Sequence, residues 1–442
     1  MSDAQVLGQE VKLPFSGRVA PSRFMKGAMT ERLSSWDQHR PEARGIPSDG
    51  LVKVYEEWGN GGFGIVLSGN TIVDPVNLEA PGNAIIHEGL DKPEEREKQF
   101  RRLFKAGKGA AGKSLFVVQL SHGGRQVADA LTKNPVSASD IPCPPTMGYN
   151  FAKPTPLDED GIKKVVNDFA YAAQKCHEWG ADGIQLHAAH GYLLAQFLSS
   201  TTNKRTDKYG GSLENRARII YDIFEEIDRR ISDPKFIKAI KINSVEFQEG
   251  GFQPEESAAV CKHLEQLGVD VIELSGGTYE SLAFTHKRES TKAREGFFLQ
   301  FAETIRQGVS KSRIWTTGGF RSAKAMADAV RQGVTDGVGI ARPATQDFGL
   351  PSLIISGKVD GARKGLLPEH DFGITNVAAG TQIRQVANGI QPFDATNEEA
   401  VQKFKEEVGQ FMEIAKKDGA EGVVKAGYPD LAGSAYQPIS LL

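Results

Sequence analysis

The feature that most constrains this chain is the regular alternation of short apolar runs with longer amphipathic segments. The short runs are typical of β-strands, because they are nearly continuous in apolar residues and are bounded by turns. Eight of them lie at residues 23–29, 63–73, 115–121, 183–187, 237–242, 269–275, 313–317 and 336–341. Such strands, joined by helices, form a parallel sheet whose outer face is covered. Eight units predict an α/β fold of the (β/α)8 TIM-barrel class.

An open, doubly wound sheet is the structural alternative for the same pattern. When that fold binds a dinucleotide, its first strand is followed by a GxGxxG turn. No such turn follows residues 23–29. The barrel is therefore favoured, and it directs attention to the C-terminal ends of the strands, where barrel enzymes place their chemistry.

Residues 363–442 do not continue the alternation. We therefore assign residues 1–362 to a barrel with an N-terminal lid and residues 363–442 to a C-terminal helical extension. A helix is predicted over 397–416, with Thr396 and Glu399 as a capping box and Gly419 as its end. Its apolar face predicts packing on the barrel or on a partner subunit, so a homo-oligomer is compatible with the pattern.

Composition and charge exclude several classes of function. Apolar residues make up 39% of the chain and charged residues 25%, which excludes wholesale disorder. The 53 Lys and Arg against 56 Asp and Glu give a net charge of −3, so neither nucleic acid nor an anionic membrane is an expected partner. The N-terminus has no signal-peptide pattern and no apolar run is long enough to span a membrane, so a cytoplasmic location is expected.

The three cysteines, Cys143, Cys176 and Cys261, are odd in number and far apart in the chain. This spacing excludes a disulfide framework, a cysteine-rich zinc site and a four-cysteine iron–sulfur cluster. A reducing compartment fits the pattern.

Residues able to carry chemistry stand at or near the ends of most of the predicted strands. They are Ala28, Met29 and Thr30 (first strand), Gly69 (second), Gln119 (third), His187, His190 and Tyr192 (fourth), Lys241 (fifth), Gly318 and Gly319 (seventh), and Ala341 and Arg342 (eighth). The loops after the last two strands are the usual phosphate site of a barrel, where glycines expose backbone N–H groups and an arginine adds charge.

His187 and His190 are spaced closely enough to act together. Such a pair can bind a metal, but no Asp, Glu or Cys at the other strand ends completes a ligand set, so no metal is predicted. Hydrogen bonding to a carbonyl or phenolate oxygen fits better, with Tyr192 as a proton donor. Lys241, within an apolar strand, has two interpretations: a Schiff-base lysine or a partner for a bound anion.

Longer motifs identify the family that this chain resembles. The stretch HAAHGYLLAQFLSSTTNKRTDKYGGSLENRARI at 187–219 is similar to the hallmark segment of the Old Yellow Enzyme family, which are FMN-dependent ene-reductases and NADH:flavin oxidoreductases. The segments FMKGAMTERL (24–33), VVQLSHGGRQ (117–126), INSVEFQEGGF (242–252) and TTGGFRSAKAMADAV (316–330) match the same family in order. The resemblance covers residues 10–350 and is nearest to the thermophilic-like and fungal branch.

The resemblance implies that FMN is bound at the strand ends. Ala28, Met29, Thr30 and Gly69 would line the flavin, Gln119 and Lys241 would bind its pyrimidine edge, and Gly318, Gly319, Ala341 and Arg342 would hold its phosphate. Thr30 would bond near flavin O4, and Lys241 would stabilise the negative charge that forms near N1 on reduction. The family usually has arginine at position 241, so lysine keeps the charge but loses the planar fork.

The implied reaction has two halves that share one site. NADPH or NADH gives a hydride to FMN and leaves, and an α,β-unsaturated carbonyl compound (an enone or enal) then binds. His187 and His190 hold its carbonyl oxygen, flavin N5 delivers hydride to the β-carbon, and Tyr192 delivers a proton to the α-carbon. One site serving two substrates in turn predicts ping-pong kinetics.

Three other functions remain open at this point. An NADH oxidase of the same family would pass electrons to oxygen. A flavin-free, aldolase-like barrel would use Lys241 as a Schiff base and would need it to face an open pocket. A catalytically silent flavin- or ligand-binding protein is the third, and the retention of Tyr192 beside both histidines counts against it.

Overall fold

The computed structural model describes residues 1–146, 148–246, 248–277, 299–369 and 371–431. Eight parallel strands form a closed ring. Each strand pairs with the next one along the chain, the third with the fourth included, and the eighth pairs with the first. They are β1 (Phe24–Lys26), β2 (Ile65–Leu67), β3 (Leu115–Ser121), β4 (Gly183–Ala188), β5 (Ile237–Asn243), β6 (Val271–Ser275), β7 (Arg313–Thr317) and β8 (Gly337–Ile340). The (β/α)8 prediction is confirmed.

Helices flank the barrel, and all of them except the last contribute apolar residues to its main core. They are α1 (Asp3–Leu7), α2 (Asp49–Gly59), α3 (Pro93–Gly107), α4 (Glu159–Glu178), α5 (Leu193–Leu198), α6 (Leu213–Arg230), α7 (Pro254–Gln266), α8 (Leu299–Gly308), α9 (Ala323–Arg331), α10 (Leu350–Ile355), α11 (Phe372–Ala387) and α12 (Glu398–Ala420). None of the helices in the described ranges is long and apolar enough to cross a membrane.

Short strands outside the ring shape its two ends. The antiparallel pair Val11–Lys12 and Val19–Ala20 contributes Val11 and Ala20, with the adjacent Leu13, to the apolar cluster in the N-terminal half of the barrel. The run predicted at 63–73 divides into β2 and a second strand, Thr71–Ile72, which pairs with the end of β3 and with Ala84–Ile85. Gly69 and Asn70 lie at the break between them.

The C-terminal helix begins one residue later and ends four residues later than the predicted span of 397–416. The predicted cap at Thr396 is wrong. Asn397 caps the helix by accepting a hydrogen bond from Ala400 N, while Thr396 Oγ1 donates to Asp394 instead. Gly419 lies inside the last turn. Residues 432–442 of the predicted extension lie outside the described residues.

The extension packs on the barrel through α11. Ile383 and Val386 of α11 belong to the main core, and α11 contacts α2 and the short 3₁₀ helix Arg342–Thr345. The first turns of α12 add Phe404, whose ring stacks on Phe393 at 4.9 Å. The chain then returns to the barrel, where Tyr428 OH donates to the carbonyl oxygen of Thr30 at 2.8 Å. This return brings the C-terminal segment to the loop that follows β1.

Candidate active site

The interior of the barrel changes from apolar to polar along its axis. Met25, Ile65, Val117, Ala239 and Val271 form the apolar cluster at the N-terminal end. Because alternate residues of a strand point the same way, the next inward positions toward the C-terminal end are polar. They are Gln119, Ser121, Gln185, His187, Lys241, Asn243, Glu273 and Ser275. This polar layer lies where barrel enzymes carry their active sites.

Lys241 is part of a buried network rather than a solitary cation. Its Nζ lies 3.1 Å from Glu273 Oε1, which also accepts from Thr317 Oγ1 at 2.6 Å. The other carboxylate oxygen accepts from Gln185 Nε2 at 2.9 Å, and Gln185 Oε1 accepts from Gln119 Nε2 at 2.7 Å. Lys241 therefore faces a carboxylate instead of the open pocket that a Schiff-base lysine requires.

Glu273 was not predicted from the sequence. The parallel register sets Lys241 of β5 opposite Glu273 of β6, and both side chains are buried. The signal was present in VIELS, where two polar residues alternate with apolar ones in an otherwise apolar strand.

The two predicted histidines lie in a hydrogen-bonded chain of four side chains. His187 Nδ1 lies 2.8 Å from Asn70 Oδ1, and His187 Nε2 lies 3.0 Å from His190 Nδ1. His190 Nε2 lies 2.7 Å from Ser275 Oγ. Each ring nitrogen thus has a partner. Because an amide oxygen only accepts, His187 Nδ1 donates to Asn70 Oδ1, His190 Nδ1 donates to His187 Nε2, and Ser275 Oγ donates to His190 Nε2. Asn70 and Ser275 both stand at strand ends, but neither was assigned a role from the sequence.

Burial keeps both imidazoles neutral. Desolvation, reinforced by Lys241, lowers the pKa of His190 to about 3, and desolvation followed by His190 and Lys241 lowers the pKa of His187 well below its usual value. A neutral imidazole has one N–H to donate. The pair can therefore act as hydrogen-bond donors to an oxygen without titrating in the physiological range.

The backbone of His190 is held in a left-handed conformation, with φ of +59°. Side chains fix both of its backbone groups, since its N–H donates to Asn243 Oδ1 at 3.2 Å and its carbonyl accepts from Gln126 Nε2 at 3.0 Å. Non-glycine residues rarely adopt this conformation, and the strain is typical of functional sites. The turn delivers Tyr192, the N-cap of α5, to a position where its ring centroid lies 4.7 Å from that of His187.

The loop after β1 lies against the end of β2. A Cβ on Gly69 would lie 2.0 Å from Met29 O, so the protein's own loop requires glycine there. Gly69 N donates to Glu31 Oε1 at 3.0 Å. Thr30, predicted to bond near flavin O4, donates its hydroxyl to Glu79 Oε2 at 2.9 Å. Ala28, Met29 and Thr30 therefore form one side of the mouth of the barrel.

The ends of β7 and β8 form another side. Gly319 has φ of +73°, and Ala341 caps the 3₁₀ helix that begins at Arg342. Burial, with a smaller contribution from nearby Arg321, lowers the pKa of Arg342 to about 10, and its guanidinium donates to Thr375 Oγ1. Gly318 is buried beside Gly319. These residues offer backbone N–H groups and a guanidinium to an anion.

The donor set fits an aromatic cofactor with a polar edge and a phosphate, as FMN has. Gln119 and Lys241 supply donors in the polar layer, and Arg342 with the β7 and β8 loops supplies a cationic site at the rim. In the part of the chain that the structure describes, no three His, Cys, Asp or Glu side chains are grouped so as to hold a metal ion.

We expect Ser275→Ala to weaken the binding of phenolic ligands by about tenfold, because one hydrogen bond that orients His190 is worth ~1–1.5 kcal/mol. The change removes the hydroxyl that lies 2.7 Å from His190 Nε2. Titration of the visible spectrum with phenol measures the effect. Ser275→Thr keeps the hydroxyl and should restore most of the affinity; equal weakening by both changes would mean that packing, not the hydrogen bond, matters.

Comparison with known proteins identifies the family of the chain. Residues 22–360 match the sequence model of the NADH:flavin oxidoreductase / NADH oxidase family. The chain is 40% identical to NADH-dependent flavin oxidoreductase nadA of Aspergillus parasiticus, over 99% of this chain and 98% of that protein. It is 33% identical to NADH-dependent flavin oxidoreductase iccE of Talaromyces variabilis, over 77% of this chain and 84% of that protein.

The fold also matches solved structures. The old yellow enzyme homologue from Zymomonas mobilis superposes with a TM-score of 0.66 at 21% identity, over 82% of this chain and 95% of that chain. Morphinone reductase in complex with tetrahydroNAD superposes with a TM-score of 0.63 at 21% identity, over 81% of this chain and 92% of that chain. At these identities the likeness shows the fold.

Proposed function

The chain belongs to the NADH:flavin oxidoreductase / NADH oxidase family, and from that membership we propose that it takes electrons from NADH and reduces the C=C bond of α,β-unsaturated carbonyl compounds. It is an oxidoreductase that uses a flavin. The observation that carries the finer proposal is the neutral, hydrogen-bonded pair His187 and His190 with Tyr192 packed against it. Polarisation of an enone requires hydrogen-bond donors to its carbonyl oxygen, which the two histidines would supply. Its protonation requires an acid, which the phenol of Tyr192 would supply.

FMN would be held by residues on two sides of the mouth. Gln119 and Lys241 would bind its pyrimidine edge, Ala28, Met29, Thr30 and Gly69 would line the ring, and Gly318, Gly319, Ala341 and Arg342 would hold the phosphate. The hydride chemistry of both half-reactions would come from bound FMN. Glu273 offsets part of the Lys241 charge, so this chain would favour the reduced flavin less strongly than an unpaired cation would.

The histidines would bind the carbonyl oxygen of the substrate. In the free chain their facing nitrogens bond to each other at 3.0 Å, so the oxygen has to replace that bond. His190 donates to the oxygen through Nδ1 when Ser275 donates to its Nε2. His187 donates through Nε2 when the Ser121 hydroxyl donates to its Nδ1, in place of the hydrogen bond that Nδ1 makes to Asn70 Oδ1. Donors placed there stabilise the enolate that forms as the alkene is reduced.

Tyr192 would supply the proton to the α-carbon. It is almost fully buried, and its backbone position is set by the turn at His190 and by its place at the start of α5. A positioned acid next to the histidines protonates the carbon as the enolate collapses.

We propose NADH rather than NADPH as the hydride donor, because the relatives that align over most of the chain carry names that specify NADH. Both nadA and iccE, which align over most of this chain, are named NADH-dependent. The NADPH dehydrogenase of Listeria welshimeri is 35% identical, but over 43% of this chain.

An anaerobic spectral titration tests the proposal. The purified holoenzyme should be yellow, lose its visible absorbance on addition of NADH, and regain it on addition of 2-cyclohexenone. Bleaching without recovery until air is admitted would overturn the ene-reductase assignment. It would favour an oxidase, the activity named for a Thermoanaerobacter brockii relative that is 31% identical over 78% of this chain.

A further inference from the structure

Arg32 is a cation in the loop after β1 that the reaction described above does not use. Its Nε is buried and has no hydrogen-bond partner. Among the residues that the structure describes, no carboxylate forms an ion pair with it within 4.0 Å. Leaving a buried polar group of a charged side chain unpaired costs free energy, so an arginine kept in this state is a candidate for pairing with a ligand.

The surroundings of Arg32 hold its guanidinium in place. The group lies over the ring of Tyr428, 4.7 Å from the centroid, and Tyr428 OH is tied to Thr30 O. Tyr149 acts on it by charge and by a side-chain hydrogen bond, and Glu79 acts on it by charge alone. Glu79 already accepts hydrogen bonds from Thr30 Oγ1 at 2.9 Å and Asn83 Nδ2 at 3.1 Å. The protein therefore orients the cation without neutralising it by an ion pair.

The backbone supports the same conclusion. Arg32 has φ of +56°, a left-handed conformation that a residue with a long side chain adopts only at a cost in free energy. The ring of Tyr428, over which the guanidinium lies, belongs to the C-terminal segment of the chain. Two contacts anchor that segment: the ion pair of Arg384 with Asp430, and the hydrogen bond from Trp36 Nε1 to Val424 O at 2.8 Å. Two distant segments thus meet to present one guanidinium two residues from Thr30.

We propose that Arg32, stacked on Tyr428, binds an anionic group of the ligand at the mouth of the active site. The group recognised is a carboxylate or phosphate, because a guanidinium pairs with either through two parallel hydrogen bonds. Two sources of that anion exist in the proposed reaction: a carboxylate on the unsaturated substrate, or the pyrophosphate of NADH. The inference rests on the proposed function for the identity of these ligands.

The test compares matched ligands on the holoenzyme. Wild type, Arg32→Gln and Arg32→Lys are titrated with 4-hydroxybenzoate and with its methyl ester, and binding is followed by the flavin absorbance. The rate of flavin reduction is measured against NADH concentration in the same variants. Arg229→Gln serves as the control, since Arg229 lies exposed on α6 and pairs with Glu226 of the same helix.

We expect Arg32→Gln to raise the Kd of 4-hydroxybenzoate at least tenfold and to leave that of the ester unchanged, with Arg32→Lys in between. That result assigns the anion to the substrate. The alternative result is a rise of the same size in the half-saturating NADH concentration, with the Kd values of 4-hydroxybenzoate and its ester unchanged. That result supports the same anion site and assigns the anion to the pyrophosphate of NADH.

Unchanged values for all three ligands, relative to the Arg229→Gln control, would overturn the inference. The two proposals fail separately, because ligand binding is read from oxidised flavin. An enzyme that does not reduce 2-cyclohexenone, yet loses benzoate affinity in Arg32→Gln, contradicts the ene-reductase assignment and keeps the anion site.

Discussion

Replacing Tyr192 by phenylalanine is expected to slow alkene reduction by about 10²–10⁴-fold, the usual contribution of a positioned general acid. The change removes the phenol hydroxyl and keeps the ring, which packs 4.7 Å from His187. Flavin reduction by NADH needs no proton from this group, so that half-reaction should keep its wild-type rate. Stopped-flow absorbance measures each half-reaction separately.

Tyr209→Phe is the matched control. Tyr209 lies in the same segment of the chain, 187–219, and is as buried as Tyr192. Its hydroxyl donates to Asp222 of α6 at 2.8 Å. We expect both half-reactions to proceed normally in this variant. Equal slowing of the two half-reactions in Tyr192→Phe would contradict its role as the proton donor.

A large loss of stability is expected when the buried ion pair of Lys241 with Glu273 is broken. Lys241→Met leaves the Glu273 carboxylate buried without its cation, which should lower the free energy of unfolding by ~3–5 kcal/mol. Lys238→Met is the control on the same strand: its partner Asp228 is half exposed, so the loss should stay below ~1 kcal/mol. Urea unfolding of the flavin-free forms compares them.

The same pair should tune the reduction potential of bound FMN in opposite directions. Glu273→Gln frees the Lys241 charge and should raise the potential by about 20–60 mV, since a change of ~1–3 kcal/mol corresponds to ~30 mV per 1.4 kcal/mol in a two-electron couple. Lys241→Met should lower it. Potentials that do not respond to either change would place the pair away from the flavin's pyrimidine edge.

Much of the fold was readable because its signals are local. Apolar runs bounded by turns located the eight strands, and the resemblance to the Old Yellow Enzyme family is confirmed by the family match over 22–360. The predicted site residues could be grouped because a parallel barrel brings all C-terminal strand ends to one face. The prediction of the helix cap failed because Thr396 and Asn397 are both good capping residues. The hydroxyl of Thr396 bonds to Asp394 instead, and Asn397 caps the helix.

The sequence by itself determined the barrel, the family and the candidate residues at the strand ends, because periodicity, turn residues and motifs act over short stretches of chain. Only the tertiary structure decided their partners. Lys241 meets Glu273 through strand register, His190 meets Ser275 across 85 residues, and Thr30 meets Tyr428 across 398. Such pairings depend on which strands are neighbours and where a distant segment returns, and no local pattern encodes either.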